Sequence, residues 1–286
     1  DVLSTAFLSH GDTRHLMLFP SSVEECYTMA MDAFNLAERF QTPVFVMSDL
    51  DLGMNTWMSR EFEYPNEPLD RGKVIDNEAL ERIGKFGRYR DVDGDGIPYR
   101  TIPGDDTPAF FTRGSGHNEW AQYSERPEDY QKNVDRLARK FETARDWMPE
   151  PVVDINRKAS VGIIAYGTTH WAIVESRDQL LEENDLHTSY YRLCGFPFRT
   201  ALASFIQRHE RVYVVEQNRD AQMMTLIKLD VPTDLGPRLY SVLHYAGDPI
   251  DARSVTDGIL LQEGYRVKKA AANSRRGPRQ SGVGSE

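Results

Sequence analysis

The sequence has few of the features that mark membrane, secreted or metal-rich proteins. Its 286 residues include only two cysteines, Cys26 and Cys194, too few for a disulfide framework, a zinc ribbon or an iron–sulfur cluster, which generally needs about four thiolates. No run approaches the ~18–20 apolar residues that span a bilayer, and the first fifteen residues lack the charged start and apolar stretch of a signal peptide. We therefore expect a cytoplasmic protein with no membrane contact and with no metal site of its own.

The chain also has fewer basic than acidic residues. The chain has 34 lysines and arginines against 44 aspartates and glutamates, a net charge of -10, which opposes binding to a phosphate backbone. Nucleic acid is therefore not an expected partner. With 40% hydrophobic and 27% charged residues, the composition is that of an ordinary globular protein, and the length suits one large or two ordinary α/β domains.

The first 57 residues contain a β-α-β pattern. No helix start signal occurs in residues 1–15, and an apolar strand pattern follows at 15–20. Ser22 then precedes acidic residues that favour a helix N-terminus, and apolar residues three and four apart continue that helix to Phe40. The continuous apolar run 44–49 predicts a strand buried on both faces of a parallel sheet.

This pattern is incomplete as a domain. Two parallel strands with one crossover helix cannot cover both faces of a sheet. We expect the remaining strands to come either from another polypeptide or, preferably, from the same one, with the present chain as the C-terminal part of a longer protein.

The rest of the chain divides into three further regions. Residues 58–150 are rich in proline, glycine and charge and read as a connector with one long helix at 126–147. Residues 151–265 alternate between strand and helix patterns, which predicts a compact parallel sheet of four strands with right-handed crossovers. The predicted strands are 161–165, 189–193, 212–216 and 239–243, and the predicted helices are 169–181, 198–209 and 221–229. Residues 266–286 have almost no apolar content and are expected to form a disordered tail.

Several blocks in a fixed order resemble one known family. In the first region they are residues 9–12 (SHGD), 17–26 (MLFPSSVEEC), 33–38 (AFNLAE) and 41–49 (QTPVFVMSD). In the connector they are 70–73 (DRGK), 93–104 (DGDGIPYRTIPG) and 116–119 (GHNE), and in the last region they are 166–168 (YGT) and 216–218 (EQN) followed by Gln222. Together they resemble the thiamine diphosphate-dependent 2-oxoacid:acceptor oxidoreductases, most closely the α subunit of the 2-oxoglutarate:ferredoxin type. The resemblance covers nearly the whole chain except the tail.

The resemblance implies both a fold and a reaction. The fold is α/β, with part of a thiamine diphosphate-binding pyrimidine-type domain at 1–57 and a transketolase C-terminal-like parallel sheet domain at 151–265. The reaction is the oxidative decarboxylation of a 2-oxoacid, 2-oxoglutarate foremost, to an acyl-coenzyme A, with electron transfer to ferredoxin. In this family a β subunit holds most of the thiamine diphosphate site, the magnesium ion and an iron–sulfur cluster.

The family also carries residues that precede the point where this sequence starts, among them the glutamate that activates the aminopyrimidine. We therefore expect no catalytic residue in this chain, and neither cofactor binding nor turnover by it alone. Two other functions stay open: a non-catalytic oligomerisation or assembly module derived from such an enzyme, and a regulator that binds a small molecule at the open end of the second sheet.

Two loops carry the candidate substrate-binding residues. His10, Asp12 and Arg14 lie on a glycine-containing loop just before the first strand, where histidine and arginine would supply donors and positive charge to substrate carboxylates. His117 lies on a second glycine-flanked loop, and imidazole side chains as a class can act as acid or base near neutral pH. The alternative is that both are structural loops, the first capping a strand and the second contacting a partner subunit.

Three other motifs have weaker functional interpretations. Residues 91–97 (DVDGDGI) imitate the start of a calcium loop, but the twelfth position is Ile102 instead of glutamate, so a tight acidic turn is expected. Residues 167–170 (GTTH) could receive an anion at a helix N-terminus, although a turn and helix cap are favoured. Glu216, with Asn218 and Gln222, follows a strand end where α/β sheets often bind ligands, but a packing role is favoured. Both cysteines are expected to be packing thiols.

Overall fold

The computed structural model describes residues 1–9, 11–104 and 108–266. The strands are β1 (Leu16–Leu18), β2 (Val44–Val46), β3 (Val152–Asp154), β4 (Val161–Tyr166), β5 (Thr188–Leu193), β6 (Gly195–Phe196), β7 (Arg211–Glu216) and β8 (Leu239–Leu243). The helices are α1 (Val2–Ala6), α2 (Val23–Phe40), α3 (Leu50–Met54), α4 (Asn77–Ile83), α5 (Pro127–Ala144), α6 (Thr169–Asn184), α7 (Ala201–Arg208), α8 (Gln222–Asp230) and α9 (Ala252–Gln262). The prediction of an α/β fold is confirmed.

The second sheet contains the four predicted parallel strands. Its order is β3-β5-β4-β7-β8, in which β4, β5, β7 and β8 are parallel and β3 is an antiparallel edge strand that the sequence pattern did not predict. Helices α6, α7 and α8 fall where crossovers were expected. Helix α9 was missed, although the carboxylate of Asp251 caps it by accepting from Ser254 N at 2.8 Å.

The first sheet has three strands, and one of them comes from far along the chain. β1 pairs with β2 in parallel, as the β-α-β pattern predicts, and with β6 antiparallel through Met17 and Phe196. The first fifty residues therefore do not close into a sheet of their own. Four of their buried side chains belong to the same core as Phe196, Phe198 and helix α8, namely Val2, Ala6, Met17 and Phe19.

Helix α2 begins and ends where its capping residues predict. The Ser22 hydroxyl accepts from Glu25 N at 3.2 Å, and Gln41 ends the helix in the left-handed conformation. Two expectations for residues 1–57 are wrong: one concerns the segment before β1, and the other concerns the burial of β2. A short helix, α1, precedes β1 because its buried Val2 and Ala6 pack into the core shared with α8, a tertiary effect without a cap signal.

Strand β2 is half-buried to exposed instead of buried on both faces. It is an edge strand of its sheet within the described residues, and the side chain of Val46 is 39% exposed.

The connector is more structured than its composition suggests. Helix α5 matches the predicted long helix and is followed by a 3₁₀ turn at Arg145–Trp147. Helices α3 and α4 were not predicted, because neither has a buried residue that would give an apolar period. Each is instead capped by an aspartate, Asp49 for α3 and Asp76 for α4.

A buried ion pair joins α2 to the second sheet. The guanidinium of Arg192, on β5, donates to the two carboxylate oxygens of Glu25 at 2.8 and 2.5 Å and also to the Ser21 hydroxyl. Arg192 is only 5% exposed. Because both oxygens of the carboxylate are engaged, the pair fixes the orientation of α2 on the sheet as well as its distance.

Candidate functional site

The two predicted loops meet at one cleft. The loop after residue 10 and the loop that carries His117 lie across α5, and together they enclose a cleft of about 710 Å³ whose lining includes Asp12, His117 and Asn133. A second cleft of about 650 Å³ adjoins it on the side of Arg14. Residues separated by about a hundred positions in the sequence are thus brought to a common concave surface. His10 lies outside the described residues.

His117 is held in a defined orientation. Its Nδ1 lies 3.0 Å from the carbonyl oxygen of Ser115, and its ring centroid lies 4.0 Å from that of Tyr89. The amide of Asn133 donates to the His117 carbonyl at 2.6 Å, which fastens the loop to α5. Because a carbonyl only accepts, Nδ1 carries a proton, and Nε2 is left to accept in the neutral ring or to donate in the imidazolium.

Arg14 and Asp12 differ in how they are exposed. The guanidinium carbon of Arg14 lies 5.7 Å from the ring centroid of Phe7 and 5.4 Å from that of Phe141, so the side chain is partly buried between two aromatic faces. Asp12 is exposed at the rim of the cleft. Asp12 and His117 line the first cleft together with Glu125 and Arg126, and Arg14 lines the adjoining one, so the two clefts together present charged groups of both signs and an imidazole.

Helix α5 contributes a lysine that the sequence analysis did not single out. Lys140 lies one turn beyond Leu137, and it lines a small space together with Thr13 and Arg14. Burial, reinforced by the positive charges of Arg136 and Arg88, lowers the pKa of Lys140 to about 7. No sequence signal could have found it, because the shift depends on cations brought together by the fold.

A further cleft, of about 820 Å³, lies at the carboxyl ends of β2, β4, β7 and β8. The expected anion position at residues 167–170 is filled there by the chain itself. The Asp49 carboxylate accepts from the backbone N–H of Thr168 at 3.2 Å and from its hydroxyl at 2.6 Å. An aspartate from the first sheet thus occupies the N-terminus of α6, in agreement with the turn-and-cap interpretation.

The carboxylate at the end of β7 serves packing. Glu216 is fully buried and accepts from the backbone N–H groups of Met223 and Met224 at 2.8 and 3.1 Å, and from the Asn218 amide at 2.6 Å. This carboxylate satisfies donors in the first turn of α8 that would otherwise be unpaired. The contacts support the structural interpretation of Glu216, whereas Asn218 and Gln222 also line the cleft of about 820 Å³.

Both Cys26 and Cys194 are free thiols, and burial raises the pKa of each. Among the described residues, no group of three or more histidine, cysteine, aspartate or glutamate side chains is arranged to hold a metal ion. Within the same ranges, none of the helices has the length and apolar character needed to cross a membrane.

Comparison with known sequences shows which class of α/β protein the chain resembles. Residues 1–87 match the sequence model of the family described as pyruvate flavodoxin/ferredoxin oxidoreductase, thiamine diphosphate-binding. The chain is 30% identical over 235 residues to subunit alpha of 2-oxoacid:ferredoxin oxidoreductase 2 from Aeropyrum pernix, covering 80% of this chain and 35% of that subunit. It is 27% identical over 221 residues to 2-oxoglutarate synthase subunit KorA from Methanothermobacter thermautotrophicus, covering 76% of this chain and 56% of that subunit.

A solved structure agrees with these relatives. The 2-oxoglutarate:ferredoxin oxidoreductase from Magnetococcus marinus, solved with 2-oxoglutarate, coenzyme A and succinyl-coenzyme A bound, superimposes with a TM-score of 0.80 at 23% identity. The match covers 92% of this chain and 44% of that one. The resemblance predicted from the sequence is thus confirmed: the chain is similar to α subunits of 2-oxoacid:ferredoxin oxidoreductases, and it spans about a third to a half of the length of the relatives it matches.

Proposed function

We propose that the chain is part of the α subunit of a thiamine diphosphate-dependent 2-oxoacid:ferredoxin oxidoreductase and that its substrate is 2-oxoglutarate. The complete enzyme would decarboxylate the 2-oxoacid oxidatively, transfer the acyl group to coenzyme A and pass the electrons to ferredoxin. The observation that carries the proposal is the continuity of the similarity, which extends over 80% of the chain in one α subunit. The relatives named 2-oxoglutarate synthase favour 2-oxoglutarate over other 2-oxoacids.

The cofactors belong to the complete complex in this proposal. The described residues do not fit a magnesium ion or an iron–sulfur cluster, because no suitable group of ligands is present among them and the sequence has two cysteines. We assign both to a β subunit. Thiamine diphosphate, when bound between the subunits, supplies the carbanion chemistry. The present chain contributes protein walls and substrate contacts, in a cytoplasmic heteromer with the β subunit, ferredoxin and coenzyme A as partners.

His10, Asp12, Arg14 and His117 are the proposed substrate-binding residues. In this proposal the guanidinium of Arg14, which lies between two aromatic rings, pairs with a carboxylate of a dicarboxylic 2-oxoacid. Nδ1 of His117 donates to Ser115, so Nε2 can donate to a substrate carboxylate when the ring is an imidazolium, in which both nitrogens carry a proton. Asp12 and Arg14 share one loop, and both line the cleft that adjoins that of His117.

The direct test is turnover by the complete complex. Purified enzyme is given 2-oxoglutarate and coenzyme A, and reduction of ferredoxin or methyl viologen is followed, with pyruvate as the comparison substrate. Reduction that requires coenzyme A and prefers 2-oxoglutarate supports the proposal. Absence of turnover with every 2-oxoacid would refute the enzyme proposal and favour the assembly module.

The substrate roles are tested by Arg14→Met and His117→Ala in the same complex. Loss of a charge-assisted contact of about 1.5–3 kcal/mol corresponds to an increase in KM of roughly 10- to 150-fold for 2-oxoglutarate. His187→Ala, beyond the far end of α6, is the matched control and should leave KM unchanged. If Arg14→Met and His117→Ala retain the wild-type KM, the assignment of this cleft is wrong even if the enzyme is active.

A further inference from the structure

The acidic loop at residues 91–97 forms the tight turn expected from its sequence, held by hydrogen bonds between side chains and backbone. Gly94 and Gly96 have φ angles of 78° and 79°, which favour glycine. Asp91, at the first position, accepts from the backbone N–H groups of Gly94 and Gly96 at 3.0 and 3.1 Å. Asp95, at the fifth position, accepts from Ile97 N at 2.9 Å. The oxygens at positions three, five and seven are therefore turned toward one point.

An ammonium group from another segment occupies that point. Nζ of Lys73 lies 2.6 Å from Asp93 Oδ2, 2.8 and 2.7 Å from the two carboxylate oxygens of Asp95, and 3.0 Å from the carbonyl oxygen of Ile97. These oxygens come from positions three, five and seven, which in calcium loops are two carboxylate ligands and the backbone carbonyl ligand. The remaining acid, Asp91, pairs with Arg139 on α5.

The surroundings of Lys73 agree with a fixed cation. Its side chain is 16% exposed. Burial alone would lower the pKa of the ammonium, but hydrogen bonds and charge from Asp93 and Asp95 outweigh burial and raise it. The same contact with Lys73 lowers the pKa of Asp93. Each of the three aspartates in the loop is thus matched by a cation of the chain itself.

The loop is also the part of the connector that rests on α5. A Cβ atom built on Gly96 would lie 2.2 Å from the backbone nitrogen of Lys140, so loop and helix are in direct backbone contact. Arg136 donates to the Gly96 carbonyl at 3.1 Å, and Thr143 donates to the Asp95 carbonyl at 2.8 Å. Another face of α5 lines the cleft of His117, so the loop geometry sets where that helix lies.

We propose that Lys73 is a tethered cation, which takes the place of the calcium ion in a calcium-type loop and orders the connector without a metal. The backbone of Lys73 is itself fixed, because its carbonyl accepts from Arg100 N at 2.9 Å. The ammonium therefore ties residues 91–97 to a neighbouring segment as well as neutralising them. The inference does not depend on the proposed enzymatic function.

The proposal has a specific consequence for a chain without the ammonium. Lys73→Met preserves length and apolar bulk but leaves the oxygens of Asp93, Asp95 and Ile97 facing one another without a cation. Calcium should then enter the loop and restore its order. The site would be weak, with a dissociation constant of about 1 mM, because position twelve is Ile102 and supplies no bidentate carboxylate.

The test is amide hydrogen exchange in the purified full-length protein, together with any subunits that copurify. The readout is the peptide that contains Gly94, Gly96 and Ile97, whose N–H groups are bonded within the loop. In the presence of a chelator, Lys73→Met should exchange there at least about tenfold faster than wild type, and about 10 mM calcium chloride, well above the expected ~1 mM dissociation constant, should reverse most of that increase. Wild-type exchange should not respond to calcium.

Two controls separate a tethered cation from general effects. Lys132→Met removes another lysine ion pair, with Glu119 at 2.6 Å, and should show no calcium response in the loop. Adding Asp93→Asn and Asp95→Asn to Lys73→Met should abolish the response. If Lys73→Met fails to fold, Asp93→Asn with Asp95→Asn in the wild-type background should speed exchange of the same peptide. The proposal is overturned if Lys73→Met exchanges like wild type, or if calcium protects Lys73→Met and Lys132→Met alike.

Discussion

Gly94 and Gly96 offer a matched pair for measuring how tightly the acidic loop packs on α5. Their φ angles differ by one degree, 78° against 79°, so an alanine at either position meets nearly the same backbone strain of about 1 kcal/mol. Their surroundings differ completely. A Cβ on Gly94 meets nothing within 4 Å, whereas one on Gly96 would lie 2.2 Å from Lys140 N and 2.6 Å from the Arg136 carbonyl oxygen.

Those neighbours of Gly96 are backbone atoms of a helix and cannot rotate away. Overpacking of this kind costs about 1–3 kcal/mol beyond the conformational strain. Gly94→Ala should therefore lower the free energy of unfolding by about 1 kcal/mol, and Gly96→Ala by roughly 2–4 kcal/mol. Urea unfolding of both variants, followed by circular dichroism, measures the difference between them. Equal losses for the two would refute the close contact of the loop with α5.

Three further outcomes follow from the buried contacts that join the two sheets. Glu25→Ala leaves the Arg192 guanidinium buried without its partner and should lower the free energy of unfolding by about 3 kcal/mol. This loss is near the lower end of the range for buried pairs because Glu25 keeps some contact with water. Glu25→Leu with Arg192→Met should recover most of that loss in the same urea assay. Burial alone would raise the pKa of Glu25, but Arg192 and the Ser21 contacts outweigh it and lower the pKa below the unfolded value. The pair's contribution should therefore be complete above about pH 5 and fall as the pH drops below the unfolded pKa of about 4.3, so wild type should lose more stability than Glu25→Gln between about pH 5 and pH 3 in thermal unfolding scans. Asp49→Ala removes the carboxylate that accepts from Thr168 and Leu52 and should lower the free energy of unfolding by about 1–2 kcal/mol. The Asp51 side chain caps neither α3 nor α6, so Asp51→Ala should lower the free energy of unfolding by less than about 0.5 kcal/mol in the same urea assay.

The sequence predicted the elements whose cause is local. Helix α2 was predicted from Ser22 and the acids that follow it, and the strands of the second sheet were predicted from short apolar runs between helical periods. The wrong expectations share a different cause. Helix α1 and the exposure of β2 depend on what lies beside them in three dimensions, which no window of the sequence contains.

The residues of the candidate site also include some that the sequence could predict and some that it could not. Asp12 and His117 were chosen separately from loop composition, and only the fold shows that both line one cleft. Lys140 could not be chosen, because a lysine on an amphipathic helix reads as a solvated residue until Arg88 and Arg136 are placed near it. Lys73 was noticed only within a block of family resemblance, since its partners lie twenty and more positions away.

The strand Gly195–Phe196 limits where this polypeptide can be divided. It leaves the second sheet directly after β5 and pairs with β1 beside Met17, so any shortened version that stops before it would uncover Met17 and Phe19 to water. Expression of the two halves from separate genes would therefore require them to associate before either is protected from aggregation.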